Sequence, residues 1–292
     1  MERKIALNIA AVLLFCFALF AVFFVLQKSK DNSFEINRDN IPADTEVDTG
    51  KDTAPEKEIT PPQDEEEKTT VKKDLAPLVE KYKGKEIVKI NTDQKAVALT
   101  FDAGANADGV EPILRILAEN DIKGTFFLTG KFIEKYPDKV RAIVATGGDV
   151  GNHTYDHPYL TRLTNEQIKE NIQEAENAFA KLDGKFQPFL RSPYGDRNAS
   201  TLLAVSENNY LNIRWTVDSL GWQGTSGGMS KGAVEQKVLK AAGPGAIIMM
   251  HLGSNPDDKT HLDSEALPAI ITELKKNGYE FMTLSELFEL EK

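Results

Sequence analysis

Two of the four histidines in this chain stand four residues apart, within Gly151-Asn152-His153-Thr154-Tyr155-Asp156-His157-Pro158. Neutral imidazole is the commonest nitrogen ligand for zinc-like ions, and this spacing lets two rings converge on one ion. Taken alone, such a pair is more often two unrelated surface or capping histidines. Its weight depends on what else the fold brings to the same place.

The elements that must position the pair are legible as short apolar runs alternating with helical periodicity, the signature of β-α units around a parallel sheet. Lys95–Asp102 reads as a strand, and Val110, Ile113, Leu114 and Leu117 mark the buried face of the helix that follows. Gly124–Thr129 and Gly148–Asn152 read as strands on either side of a helix over about 131–146. Thr164-Asn165-Glu166-Gln167 is a capping box opening a further helix. Phe189-Leu190, Ile213–Val217 and Ala246–Met250 complete the main strands, a helix around Leu267–Leu274 follows, and Phe281–Leu284 reads as the last strand. Asp102, His153, Arg191, Asp218 and His251 then each stand at or just beyond the C-terminal end of a different strand. In a β/α barrel that edge is where reacting side chains gather.

These residues lie in ordered motifs: Thr100-Phe101-Asp102-Ala103-Gly104, His153–His157, Arg191-Ser192-Pro193-Tyr194-Gly195, Asp218-Ser219-Leu220-Gly221-Trp222 and Ile248-Met249-Met250-His251. Over about 95–287 the chain thereby resembles the NodB-like polysaccharide deacetylases, the family four carbohydrate esterases. The resemblance implies an α/β fold, a distorted (β/α) barrel, and hydrolysis of acetyl groups on a polysaccharide assisted by a divalent metal, zinc before cobalt. It implies Asp102 as general base, His153 and His157 as metal ligands, Arg191 as the residue orienting the base, and His251 as general acid, with backbone near Tyr194 receiving the oxyanion. Two positions depart from the family pattern. Ala103 stands where a metal-binding aspartate is usual, leaving water or Asp102 to complete the shell, and Gly221 stands where an acidic residue usually precedes the tryptophan. Asp218 is the expected substitute for holding the catalytic histidine.

A polar loop, 253–264, leaves the same edge and carries Asp257, Asp258, His261 and Asp263. One of these side chains could supply the missing ligand or touch substrate; the plainer reading is a solvated loop in which Asp263 or Ser264 caps the next helix. Tyr194 and Trp222 are expected to stack on sugar rings, and Trp215, in mid-strand, to lie in the core.

The apolar fraction and the length of 292 residues suit one sizeable folded domain. Ile5–Leu26 is apolar except for Asn8 and long enough to span a bilayer. It reads as one transmembrane helix with the N-terminus inside, a cleaved signal peptide being the alternative. The only cysteine, Cys16, lies within it, so the rest needs no disulfide. Residues 31–72 hold 13 acidic and 5 basic side chains, a net of −8 out of −10 for the whole chain, and read as a solvated stalk. The nearly neutral remainder shows no nucleic-acid footprint. The expected organisation is tip and membrane helix over 1–27, acidic linker over 28–85 and catalytic domain over 86–292. The expected function is a single-pass membrane hydrolase whose extracellular domain deacetylates peptidoglycan or a related wall glycan, with a non-catalytic glycan-binding protein and a small-amide hydrolase as alternatives.

Overall fold

The computed structural model describes residues 75–292. The expected membrane helix and most of the acidic linker lie outside these residues. Among the described residues no helix is long and apolar enough to cross a membrane.

The elements run α1 (Ala76–Lys81), β1 (Glu86–Ile87), β2 (Ala96–Ala103), α2 (Val110–Glu119), β3 (Thr125–Leu128), α3 (Gly130–Lys135), α4 (Pro137–Ala145), β4 (Asp149–Asn152), α5 (Asn165–Ala180), β5 (Phe189–Leu190) and α6 (Ala199–Glu207). They continue with β6 (Leu211–Ile213), β7 (Val217–Asp218), α7 (Lys231–Ala241), β8 (Ala246–His251), α8 (Leu262–Lys276), β9 (Glu280–Phe281) and α9 (Leu284–Glu289). The strands pair in parallel in the order β1-β6-β5-β4-β3-β2-β8-β7, with β9 beside the start of β2. This is an incomplete (β/α) barrel.

The strand β2 is its central stave, buried along its whole length between β3 and β8. Its side chains alternate as a pleat requires. Val97, Leu99, Phe101 and Ala103 join the core shared with the helices, whereas Ala96 and Ala98 join a second cluster inside the barrel. The interior is plugged by α9, whose Leu284, Leu287 and Phe288 are fully buried, with Phe288 stacked on Phe189 at 5.8 Å. Burying a side chain of this size contributes about 1.5–3 kcal/mol. Above that plug the same row of β2 becomes polar, at Thr100 and then Asp102.

Four expectations are corrected. The strand expected over 213–217 is two pieces: β6 pairs with β1 and β5, β7 pairs with β8, and Arg214-Trp215-Thr216 crosses between them. The helix expected over 131–146 breaks at Tyr136 because Pro137 starts a new helix and lacks the N–H to continue the old one. The last strand stops at Phe281, and Thr283 opens α9 through a capping box with Glu286. Leu75 and Leu78 are buried in the interior cluster, so the folded part starts ahead of the Glu86 boundary.

Candidate active site

The C-terminal ends of β2, β4, β5, β7 and β8 open into a pocket of about 520 Å³ lined by Asp102, His153, His157, Tyr194, Asp218 and His251, among others. Register explains the convergence: Asp102 lies beside His251 across the β2–β8 ladder and beside Phe127 across β2–β3. Gly151 on β4 allows the neighbouring strands to close, because a side chain there would meet the Phe127 ring at 2.7 Å and the Phe189 carbonyl at 3.0 Å.

Arg191 follows β5 and is fully buried. Its Nη1 donates to Asp102 Oδ1 at 2.6 Å, and Nη2 donates to Thr100 Oγ1 at 2.9 Å and to the Arg214 carbonyl at 3.0 Å. The guanidinium also lies over the Phe127 ring, 4.0 Å from its centroid. A buried cation needs such partners, and here they fix one oxygen of Asp102. Burial pushes the Asp102 carboxyl up, but the charge and hydrogen bond of Arg191, with the charge of His251, outweigh it and hold the group below its ordinary value. Asp102 is therefore a carboxylate at neutral pH.

Its other oxygen, Oδ2, lies 3.6 Å from His153 Nε2. His153 Nδ1 stands 2.8 Å from the Arg191 carbonyl, so Nδ1 carries the proton and Nε2 keeps its lone pair toward the pocket. The His157 ring packs edge-on, 4.8 Å away. Burial lowers both histidines, His157 to about 3, which leaves both neutral. The loop between them is held in an unusual shape. Thr154 and His157 have φ of 67° and 63°, a region that costs a non-glycine residue energy. Asn152 Oδ1 accepts from Thr154 N–H and Asn171 Oδ1, on α5, accepts from Tyr155 N–H, both at 2.7 Å. These two asparagines hold the histidine loop and carried no signal in the sequence.

Tautomer, protonation and proximity suit His153 and His157 as two protein ligands of a divalent ion, one fewer than a catalytic zinc usually takes. Ala103 offers no third: it is fully buried on the helix side of β2, opposite to the face carrying Asp102. No group of three His, Cys, Asp or Glu side chains able to hold an ion occurs among the described residues.

The side of the pocket formed by β8 is built differently. His251 ends β8 and its Nδ1 lies 3.5 Å from Oδ2 of Asp263, on the first turn of α8. Burial disfavours the imidazolium, but the contact and charge of Asp263, with the charges of Asp102 and Asp218, outweigh it and raise His251 above its ordinary value. Asp218, expected to hold this histidine, instead accepts from Leu220 N–H at 2.8 Å, and burial pushes its carboxyl up. The carboxylate paired with His251 comes from the loop-and-helix segment and not from the strand end.

Asp258 and His261 stay away from both histidines of the pair. Asp258 accepts from Thr225, Ser226 and Thr260. His261 caps α8, accepting from Ser264 N–H, the place expected for Asp263 or Ser264.

Exposed aromatics rim the pocket. Tyr194, with φ 58°, stacks on Tyr159 at 4.1 Å and meets His157 edge-on at 4.5 Å. Trp222 lies across from them near His251. Trp215, expected in the core, lines the pocket as a half-buried floor because the chain leaves the sheet between β6 and β7. Tyr159 was not expected; its exposure beside Pro158 is visible only in the fold.

Residues 89–213 match the family described as polysaccharide deacetylase. The chain is 35% identical to the Bacillus cereus peptidoglycan-N-acetylglucosamine deacetylase, over 67% of this chain and 69% of that one. It is 33% identical to the Bacillus subtilis peptidoglycan-N-acetylmuramic acid deacetylase PdaA, over 75% of this chain and 81% of the relative. In structure it is similar to BA3943, a family pseudoenzyme from Bacillus anthracis, with a TM-score of 0.65 and 27% identity over 73% and 72% of the two chains. The incomplete barrel, the buried Asp102–Arg191 pair at its rim and these relatives together establish that the chain belongs to the polysaccharide deacetylases, the family four carbohydrate esterases.

Proposed function

We propose that this deacetylase removes N-acetyl groups from the sugars of peptidoglycan, with Asp102 as general base and His251 as general acid. The observation that carries the reading is two groups of opposite proton preference side by side in one pocket: a carboxylate locked by Arg191 at the end of β2, and beside it at the end of β8 an imidazole whose protonated form is favoured by carboxylates. Such a split assigns base and acid. The relatives that act on N-acetylglucosamine and N-acetylmuramic acid supply the substrate class.

In the chemistry that follows, Asp102 takes a proton from the attacking water as the water oxygen bonds to the acetyl carbon. Arg191 holds the carboxylate in place. The carbon–nitrogen bond then breaks, and His251 gives its proton to the departing amine, leaving acetate and a free amino sugar. Tyr194 and Trp222 offer exposed ring surface to the sugar rings, with Tyr159 stacked behind Tyr194. His153 and His157 would hold a divalent ion, zinc by the nature of the ligands, which when bound polarises the carbonyl and makes water more acidic.

We infer a location at the outer face of the membrane from the apolar run at Ile5–Leu26 and the acidic spacer after it; protease digestion of intact cells that left the domain untouched would refute this. A second reading, a glycan-binding protein without catalysis, draws on Ala103 and on the likeness to a pseudoenzyme. Against it, a binding protein has no need of the Asp102–Arg191 pair. Acetate release from N-acetylated peptidoglycan fragments decides between them, measured with bound metal for wild type and His153→Ala. Acetate release with wild type, and loss of both metal and acetate in the variant, is the expected result; tight glycan binding without acetate would overturn the proposal.

A further inference from the structure

We propose that Asp263 is the positioning carboxylate of His251, delivered from the first turn of α8 into the space that Gly221 leaves open. The inference rests on the reading of His251 as the general acid.

Three observations carry it. Among the described residues neither His251 Nδ1 nor Asp263 Oδ1 has a hydrogen-bond partner, and both atoms are buried. The two side chains nonetheless form an ion pair, with His251 Nδ1 3.5 Å from Asp263 Oδ2. A buried carboxylate with no cation, or a buried imidazolium with no anion, is costly, so the two stabilise each other. Next, the carboxylate is anchored independently of the ring. Oδ2 accepts from the His251 backbone N–H at 2.9 Å, and the first turn of a helix favours negative charge. Asp263 is 2% exposed and has no freedom to swing away.

Lastly, Gly221 is required by that carboxylate. A Cβ at position 221 would lie 2.3 Å from Asp263 Oδ1 and 2.5 Å from its Cγ. The side chain of Asp263 thus fills the volume that any larger residue in front of Trp222 would use. Asp102 on β2 and Asp218 on β7 also face His251, but only Asp263 forms an ion pair with it among the described residues.

A positioned carboxylate keeps the imidazole in the orientation that points its other nitrogen at the leaving group, and keeps that nitrogen protonated. The test combines kinetics with an imidazole titration followed by nuclear magnetic resonance, on wild type, Asp263→Asn, Asp263→Ser and the double variant Asp263→Ser with Gly221→Asp. In Asp263→Asn, kcat should fall on the order of 10–100-fold with little change in KM. The alkaline limb of the rate profile and the His251 titration should both move to lower pH by about one unit. Restoring a carboxylate from the other side in the double variant should recover at least about tenfold of the activity lost in Asp263→Ser. A His251 titration identical in wild type and Asp263→Asn, or a double variant no better than Asp263→Ser, overturns the proposal. Were wild type to release no acetate at all, the assignment of His251 as acid would fail, while the titration would still decide whether Asp263 holds the ring.

Discussion

The two walls of the pocket hold their candidate catalytic groups by different means. On one wall, Asp102, Arg191 and His153 sit at the ends of β2, β5 and β4, nearly or fully buried, and are fixed by sheet register as much as by their own hydrogen bonds. On the other, His251 ends a strand, but its partner Asp263 arrives from a helix after a ten-residue polar loop, and the rim residue Trp222 is about half exposed. The first wall is rigid because its ladder cannot shift without moving the core. The second depends on how one loop folds. The contrast teaches that the setting of the proposed base is a property of the barrel, whereas that of the proposed acid depends on a connection, which is the part of a fold freest to change.

The sharpest way to break the comparison is on the first wall. Asp102→Asn removes the base and should lower acetate release by about 10²–10⁴-fold. A loss under tenfold would show that the proton goes elsewhere. Arg191→Met strips a buried carboxylate of its partner and should cost about 3–5 kcal/mol in denaturant unfolding. A cost under 1 kcal/mol would mean that register alone secures Asp102.

The second wall is tested by pH. Since His251 is raised above the usual 6.5, its protonated form persists past that value. The kcat/KM profile should hold up through pH 6.5 and fall only as pH rises through the raised value. The same sign governs stability: what the protonated His251 contributes is fully present below the unfolded value and disappears as pH climbs through the folded one. An activity decline centred below 6.5 would remove His251 as the acid. The smallest effect belongs to the rim, where Tyr194→Ala should raise KM about 2–10-fold, the equivalent of losing 0.5–1.5 kcal/mol of stacking, with kcat little changed. A fall in kcat without change in KM would instead give Tyr194 a part in the chemistry.

Much of the first wall was legible because its residues lie inside short motifs at strand ends. Strand hydrophobicity marks where each stave stops, and a polar residue directly after an apolar run must face the rim. Asp102, His153, Arg191 and His251 follow from that logic. The pleat also explains Ala103: one residue past Asp102, its side chain turns to the helix-side core, where a small apolar group fits. Helix caps at Thr164 and Thr283 depend on neighbours in sequence, and the first was readable for that reason. The second went unread because Phe281–Leu284 matches a strand equally well until Glu286 is seen to reach back.

What only the tertiary structure decided is whatever depends on contacts between distant segments. Position 215 has the pattern of a core strand, yet the break between β6 and β7 turns Trp215 into the pocket floor. Position 218 has the pattern of a strand-end acid, yet its carboxylate caps its own turn. The partner of His251 stands twelve residues downstream, where local reading offers a metal ligand, a substrate contact or a helix cap but no link to His251. Sequence by itself determined which strand ends carry the polar side chains that line the pocket, since burial periodicity is local. Which carboxylate meets which histidine was settled by the folding of one loop over Gly221, a close approach that no periodicity encodes.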